Sequence, residues 1–505
     1  MHNASSATFA ARAARLAGLA AVAFAAAVAS GGCGEHRDGP RRTIALAECR
    51  LPKLALAAQC GELEVPEDRR NPDGRRIRLT VAVLPANTLD PRPDPLFILA
   101  GGPGQAATSI APFAAQLTDV RRDRDIVLLD QRGTGRSSPL DCSAFAPDDD
   151  IASSLQLDPV PKARACAAEL AAKGIDATQY TTAAFMADLD AVRAALGYDR
   201  INLWGGSYGT RAALEYMRRH GTHVRSAVLD GVAPPGMKTL VDVWPARDAA
   251  LAALVAACGE SPSCRAAHPD LAAALAAIGA RLGADGRDVT IVDPRTGKPQ
   301  AVRLTYDHVL AALQPLLYLP ELQSLVPEAI GRAAAGEFSP LLALAELVTN
   351  DLAGQTNTAL HYSVTCTEDA PRVTAADRAR SLAGTRTRTL AERALAVCAV
   401  WPRGTMSADA ATPVRSDIPV LILSGGLDPV TPPAYGNEVA ATLPNSRHIV
   451  AHGYGHIVSP HACGPRLIAT FVDDPGFGKL PPTCVAHFEK STRPLLWPDR
   501  LGAQP

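Results

Sequence analysis

The stretch Ile201-Asn202-Leu203-Trp204-Gly205-Gly206-Ser207-Tyr208-Gly209 decides how this chain is read. Residues 201–204 form a short apolar run of the kind buried strands use, and residues 208–220 (YGTRAALEYMRRH) carry helical patterning. Between them Gly205, Ser207 and Gly209 make a G-x-S-x-G turn. Small flanking residues let the chain reverse sharply from strand to helix, which pushes the Ser207 hydroxyl out of the sheet, and the helix N-terminus favours negative charge developing beside it. Gly-rich turns also serve merely to redirect a chain. The strand before and the helix after are what point to a nucleophile here.

Working outward, residues 75–86 and 95–100 read as strands, and 125–130 (DIVLLD) as a run buried in a parallel sheet. A helix over 185–196 and a strand over 224–229 extend the alternation. From about 236 to 410 it gives way to Ala/Leu-rich helical stretches, such as 249–257, 271–282 and 341–352, with few strand signals. A buried-strand run returns at 419–424 (PVLILS), then a helix around 435–443, a strand at 447–451 and a last helix near 466–471. The pattern predicts an α/β fold, a doubly wound, mostly parallel sheet interrupted by a large helical insertion before the strand at 419–424. The expected organisation is an export signal (1–32), an anchor and connecting segment (33–60), the first part of the core (61–235), the helical insertion (236–410) and the second part of the core (411–505).

Composition bounds the function. With 505 residues, 47% hydrophobic and 20% charged, the chain has apolar material for a large core and is neither disordered nor collagen-like. Lys+Arg 50 against Asp+Glu 51 leaves a net charge of −1, so no electrostatic hold on nucleic acid is expected. Arg12 and Arg15 precede an apolar run over 16–30 that is short for a membrane span, which reads as an export signal. Two processing routes stay open. Ala27-Val28-Ala29 offers an A-x-A cleavage site, whereas Ser30-Gly31-Gly32-Cys33 resembles a bacterial lipobox, with Ser30 where an aliphatic residue is preferred. Lipidation of Cys33 would place the protein in the cell envelope, with the membrane reached only through the anchor; cleavage after Ala29 would secrete it.

The cysteine count of 11 is odd. If Cys33 takes the lipid, the other ten fall into five sequential neighbours: Cys49 with Cys60, Cys142 with Cys166, Cys258 with Cys264, Cys366 with Cys398 and Cys463 with Cys484. Such pairing would close short loops, at roughly 2–4 kcal/mol each, and buried free thiols are the alternative. No C-x-x-C or H-E-x-x-H spacing occurs, so neither a metal nor a cofactor is expected.

A serine hydroxyl near neutral pH needs a base, and the base needs an acid to orient it. Asp428, in Ser424-Gly425-Gly426-Leu427-Asp428-Pro429, sits just past the returning strand, where a loop can aim a carboxylate across the top of the sheet. His456, in Gly453-Tyr454-Gly455-His456, follows the last strand. His452 reads as a strand end and His461 as the entrance to the next helix. Asp417 precedes its strand and Asp473 follows the His, so solvation or capping is their expected role. Two N–H donors are needed for the oxyanion, one from Tyr208 and one from the Ala100-Gly101-Gly102-Pro103-Gly104 turn, where Gly102 can donate and Pro103 cannot.

Gly101-Gly102-Pro103-Gly104, Asp130-Gln131-Arg132-Gly133-Thr134-Gly135-Arg136-Ser137, Gly205-Gly206-Ser207-Tyr208-Gly209, Asp428 and His456 together resemble the prolyl aminopeptidase / tripeptidyl aminopeptidase family of α/β-hydrolases. The resemblance covers about residues 60–235 and 415–465, and the insertion corresponds in place to that family's cap. It implies Ser207 as nucleophile, His456 as base, Asp428 as orienter, Gly102 and Tyr208 as oxyanion donors, and the 130–137 turn as a brace. Gln105 departs from it, standing where many relatives have another Gly. An exopeptidase acting on peptide N-termini is the implied activity, with an ester hydrolase on the same fold as the alternative. A free substrate ammonium calls for a carboxylate, and Glu368 and Asp369, beside Cys366, are the candidates; a surface pair meeting Arg372 is the competing reading.

Overall fold

A computed structural model describes residues 42–146, 151 and 155–490. The export signal, Ala29 and Cys33 lie outside the described residues. Eleven described strands form a nine-stranded sheet and a separate hairpin: β1 (Ala47–Arg50), β2 (Ala57–Pro66), β3 (Arg76–Leu84), β4 (Leu96–Leu99), β5 (Ile126–Leu129), β6 (Ile201–Gly206), β7 (Val224–Asp230), β8 (Arg287–Val292), β9 (Pro299–Leu304), β10 (Val420–Gly425) and β11 (Ser446–Ala451). The large sheet runs in the order β1-β2-β3-β5-β4-β6-β7-β10-β11. Pairs from β5 through β11 are parallel, and β1, β2 and β3 extend one edge antiparallel.

Alternation along the short strands builds both faces of the sheet. Phe97, Leu99, Val127, Leu129 and Leu203 enter one apolar core, whereas Leu96, Ile98, Ile126, Leu128 and Trp204 enter the other. Strands buried on both faces have to be apolar throughout, which is why DIVLLD and PVLILS are legible as sequence. The register then brings strand ends level: Leu99 pairs with Gly205, Gly206 with Asp230, Leu423 with Asp230, and Gly425 with Ala451. Loops leaving β4, β6, β10 and β11 therefore emerge along one edge, where an open α/β sheet binds its ligands.

Two regions differ from the sequence expectation. β1 and the start of β2 fall within 33–60, the segment expected only to anchor and connect, yet both pair into the sheet. Their side chains are largely exposed, as on an edge, so no apolar run marks them. The hairpin β8/β9 stands inside the otherwise helical 236–410 region, again half-exposed. The helices there, including Thr239–Glu260, Leu271–Leu282, Tyr306–Leu316 and Val326–Ala335, enclose a third apolar core with Leu251, Leu254, Leu275, Ile278, Leu313 and Ile330.

Five disulfides join Cys49 to Cys60, Cys142 to Cys166, Cys258 to Cys264, Cys366 to Cys398 and Cys463 to Cys484. Each pair is sequential. No described helix is long and apolar enough to cross a membrane.

Candidate active site

Ser207 occupies the turn between β6 and the helix Tyr208–His220, at φ 56° and ψ −122°. A non-glycine residue held there costs on the order of 1–3 kcal/mol, so the surroundings must impose it. They do so by close approach. A Cβ at Gly209 would run into the Leu99 carbonyl oxygen, and one at Gly205 into the Gly209 carbonyl oxygen. The two outer glycines of the pentapeptide thus let the helix start against β4.

Asp428 and His456 meet at the adjacent strand ends. His456 Nδ1 lies 2.8 Å from Asp428 Oδ2. The other carboxylate oxygen accepts the backbone N–H groups of Val430 and Thr431, both at 2.8 Å, and the Thr431 hydroxyl donates to Oδ2 at 2.8 Å. Both residues are buried. Burial alone would push the Asp428 carboxyl up, but the His456 charge and the donated hydrogen bonds outweigh it and hold the group below its ordinary value. Burial pulls the His456 imidazole down, and the Asp428 charge more than reverses this, leaving it above its ordinary value of 6.5.

Ser207, His456, Gly101 and Gly102 line one cavity of about 540 Å³. Gly101 packs so close that a Cβ there would sit 3.2 Å from the Ser207 Cβ. Tyr208 is the first residue of its helix, so its N–H has no carbonyl one turn back to bond, and Gly102 sits in the facing loop. Gln105, the departure from the family pattern, ties that loop to the insertion. Its side-chain oxygen accepts the Gly101 N–H at 3.3 Å, its side-chain nitrogen donates to Gln355 at 3.1 Å, and its backbone forms a bridge with Thr356.

Most of the 130–137 turn is buried, with Gly135 and Arg136 exposed. Asp130 accepts Thr108 N–H at 2.8 Å and Thr108 Oγ1 at 3.0 Å, Arg132 forks onto Asp188 at 2.6 and 2.8 Å, and Gln131 donates to the Tyr208 hydroxyl at 3.3 Å. A fully buried guanidinium needs such a bidentate partner, so these residues fix the loop rather than meet a ligand.

Three supporting residues escaped the sequence reading. Asp230, at the end of β7, accepts the backbone N–H groups of Val458 and Ser459 at 2.9 and 2.7 Å and so holds the loop that carries His456. Thr431 braces Asp428. Tyr318, from the insertion, accepts the His456 backbone N–H at 2.9 Å and stacks edgewise on its ring at 5.3 Å. Asp-Pro-Val-Thr after a strand hints at a carboxylate capped by its own loop; nothing near Tyr318 signals a partner 138 positions away in the chain.

The placement of Glu368 and Asp369 corrects the expectation. Neither lines the Ser207 cavity. Glu368 accepts the Thr182 N–H at 2.7 Å and the Thr182 hydroxyl at 2.8 Å, and burial pushes its carboxyl up. Asp369 is fully buried between Arg211 and Arg372, both at 2.9 Å, and also accepts the Thr239 N–H at 3.1 Å. Arg372 is indeed a partner, but the pair is interior. With their lone pairs committed, these acids join the insertion to the core and are not presented to a substrate ammonium. Among the rivals, His452 is exposed after β11, and Asp473 pairs with Arg92 at 2.8 Å. His461 precedes the helix Gly464–Asp473 and lines the cavity instead of entering that helix. Among the described residues no group of three or more His, Cys, Asp or Glu could hold a metal ion.

Fold and site define a hydrolase of the α/β class. Residues 94–308 match the family model described as the alpha/beta hydrolase fold, and residues 386–484 match the model described as TAP-like protein. The chain belongs to the α/β-hydrolase family. It is 27% identical to serine protease Hip1 of Mycobacterium tuberculosis, over 78% of this chain and 81% of that one. To tripeptidyl aminopeptidase of Streptomyces coelicolor it is 32% identical over 37% of each chain, and to carboxylesterase B of M. tuberculosis 29% identical over 84% and 85%.

Proposed function

We propose that this protein is an exported serine exopeptidase that releases a short N-terminal fragment through an acyl-enzyme, with Ser207 as nucleophile, His456 as base and Asp428 as orienter. The observation that carries the reading is the 2.8 Å contact between Asp428 and His456 Nδ1. A carboxylate there keeps the ring proton on Nδ1 and leaves Nε2 free to take the Ser207 proton as oxygen attacks the carbonyl. Gly102 and Tyr208 N–H groups would then hold the oxyanion, and His456 would return the proton to the leaving amine.

Displacement of Glu368 and Asp369 from the cavity favours removal of a tripeptide over a single residue. In a single-residue cut the ammonium would stand beside the apolar reaction centre, which offers it no carboxylate among the described lining residues. Three residues at about 3.3–3.6 Å each carry the ammonium roughly 10 Å from the scissile carbonyl. A volume of 540 Å³ suits such an acyl part. The insertion supports a chain end as substrate, because Tyr318 and the 355–357 segment press on the site from above. Five disulfides support an oxidising compartment, and we assign Cys33 as the lipid anchor.

One observation favours a carboxylesterase as the second reading: the lining is dominated by Ile110, Phe113, Trp204, Leu240, Val243 and Trp244, an acyl-chain environment. Tripeptidyl and aminoacyl aryl amides tested beside short-chain aryl esters separate the two. Amide turnover that is lost on N-acetylation supports the exopeptidase, ester turnover alone the esterase, and absence of fluorophosphonate labelling at Ser207 refutes both.

A further inference from the structure

The cavity between Ser207 and His456 contains a cation, Arg247, with no carboxylate beside it among the described lining residues. Arg247 stands on the helix Thr239–Glu260 of the insertion and lines the cavity together with His361, His456 and His461. The guanidinium lies 4.7 Å from the Trp244 ring centroid, and its Nη1 donates to the side-chain oxygen of Gln314 at 2.7 Å. Both partners are neutral. Nε is buried and has no acceptor among the described residues. His361 does not add a second charge, since burial holds its imidazole below the ordinary value.

A guanidinium facing an apolar cavity with neutral partners bears a desolvation cost that a carboxylate on a ligand would offset, and its planar fork suits that group. We propose that Arg247 is a specificity residue that pairs with a carboxylate on the substrate, so that the site prefers acid-bearing acyl-transfer substrates to neutral ones of the same size. This rests on the acyl-enzyme reading of Ser207. The acid could sit on the acyl part, as an acidic side chain would in a peptide, or on the leaving group; both present the same chemistry to Arg247.

The test uses three aryl esters: 4-nitrophenyl pentanoate, mono-4-nitrophenyl glutarate with the acid on the acyl part, and the pentanoate ester of 5-hydroxy-2-nitrobenzoate with the acid on the leaving group. The expected result is a kcat/KM ratio of at least tenfold for one acid-bearing ester over the neutral ester in the wild type. Arg247→Gln should lower that ratio at least tenfold, chiefly through KM, and Arg247→Lys should restore part of it. Which ester gains identifies where the acid sits. The same preference is read without turnover from the concentrations of glutaramate, which carries the acid, and of neutral pentanamide that halve the rate of fluorophosphonate labelling at Ser207, which also shows that each variant is folded. Equal ratios in wild type and Arg247→Gln, with Ser207 still labelled, overturn the role of Arg247 alone. Failure of Ser207 to label in the wild type overturns the acyl-enzyme reading and this inference with it.

Discussion

Replacing Asp428 with Asn should abolish most activity without unfolding the protein, and the geometry dictates how. One carboxylate oxygen accepts two backbone N–H groups, from Val430 and Thr431, at 2.8 Å each. In the variant that position must remain an oxygen, because an NH₂ group there would face two donors and leave both unpaired. The amide nitrogen is therefore forced toward His456 Nδ1, where it donates rather than accepts. The ring proton moves to Nε2, and the imidazole can no longer take the Ser207 proton. Loss of the correct tautomer in a Ser-His-Asp arrangement costs about 10⁴ in kcat, or about 5.5 kcal/mol of barrier. A second consequence follows from charge. Asp428 raises the His456 pKa, so its neutralisation should move the acid limb of activity to lower pH. The assay is kcat/KM on an aryl ester from pH 5 to 9, with circular dichroism and thermal unfolding to confirm the fold. A variant within tenfold of wild-type activity at pH 7 would refute the argument, as would an acid limb left in place.

Ser207→Ala should retain the fold, since alanine meets the same backbone demand at φ 56°, and should lose activity by several orders of magnitude; near-normal rates in the purified variant would remove the nucleophile assignment. Wild-type kcat/KM should fall toward acid with a midpoint above 6.5, because the base must be neutral and Asp428 holds its pKa up, and a midpoint below that value in a pH titration would contradict the environment described. Asp369→Ala leaves Arg211 and Arg372 without their shared partner in the interior, so denaturant unfolding should show a loss of about 3–5 kcal/mol, whereas the preference between free and N-acetylated substrates should be unchanged. Intact-mass analysis should find the ten cysteines from Cys49 to Cys484 oxidised, with free thiols at any of them counting against the pairing.

Much of the architecture was legible because it is written locally. A strand buried on both faces is an unbroken apolar run, a strand-to-helix elbow needs its small residues within five positions, and a loop carboxylate or imidazole follows its own strand directly. The exposed strands were not legible, since the side chains of β1, β8 and β9 meet water and carry no such run. The Glu368 and Asp369 expectation failed for a related reason. Two adjacent acids look alike whether they face a ligand or an arginine, and Arg211 lies on a different element of the chain.

The sequence alone therefore determined the class of fold, the elbow at Ser207 and the order of Ser, Asp and His along the chain, because each depends on periodicity or on neighbours a few residues apart. Tertiary structure alone decided what surrounds them. The register that levels Gly206, Asp230 and Leu423, the grip of Asp230 on the His456 loop, the Tyr318 carbonyl against His456 and the Arg247–Gln314 pair in the insertion all join segments remote in sequence. Such meetings are set by how whole layers pack, and burial then converts each into a charge or hydrogen-bond constraint that no single stretch of chain contains.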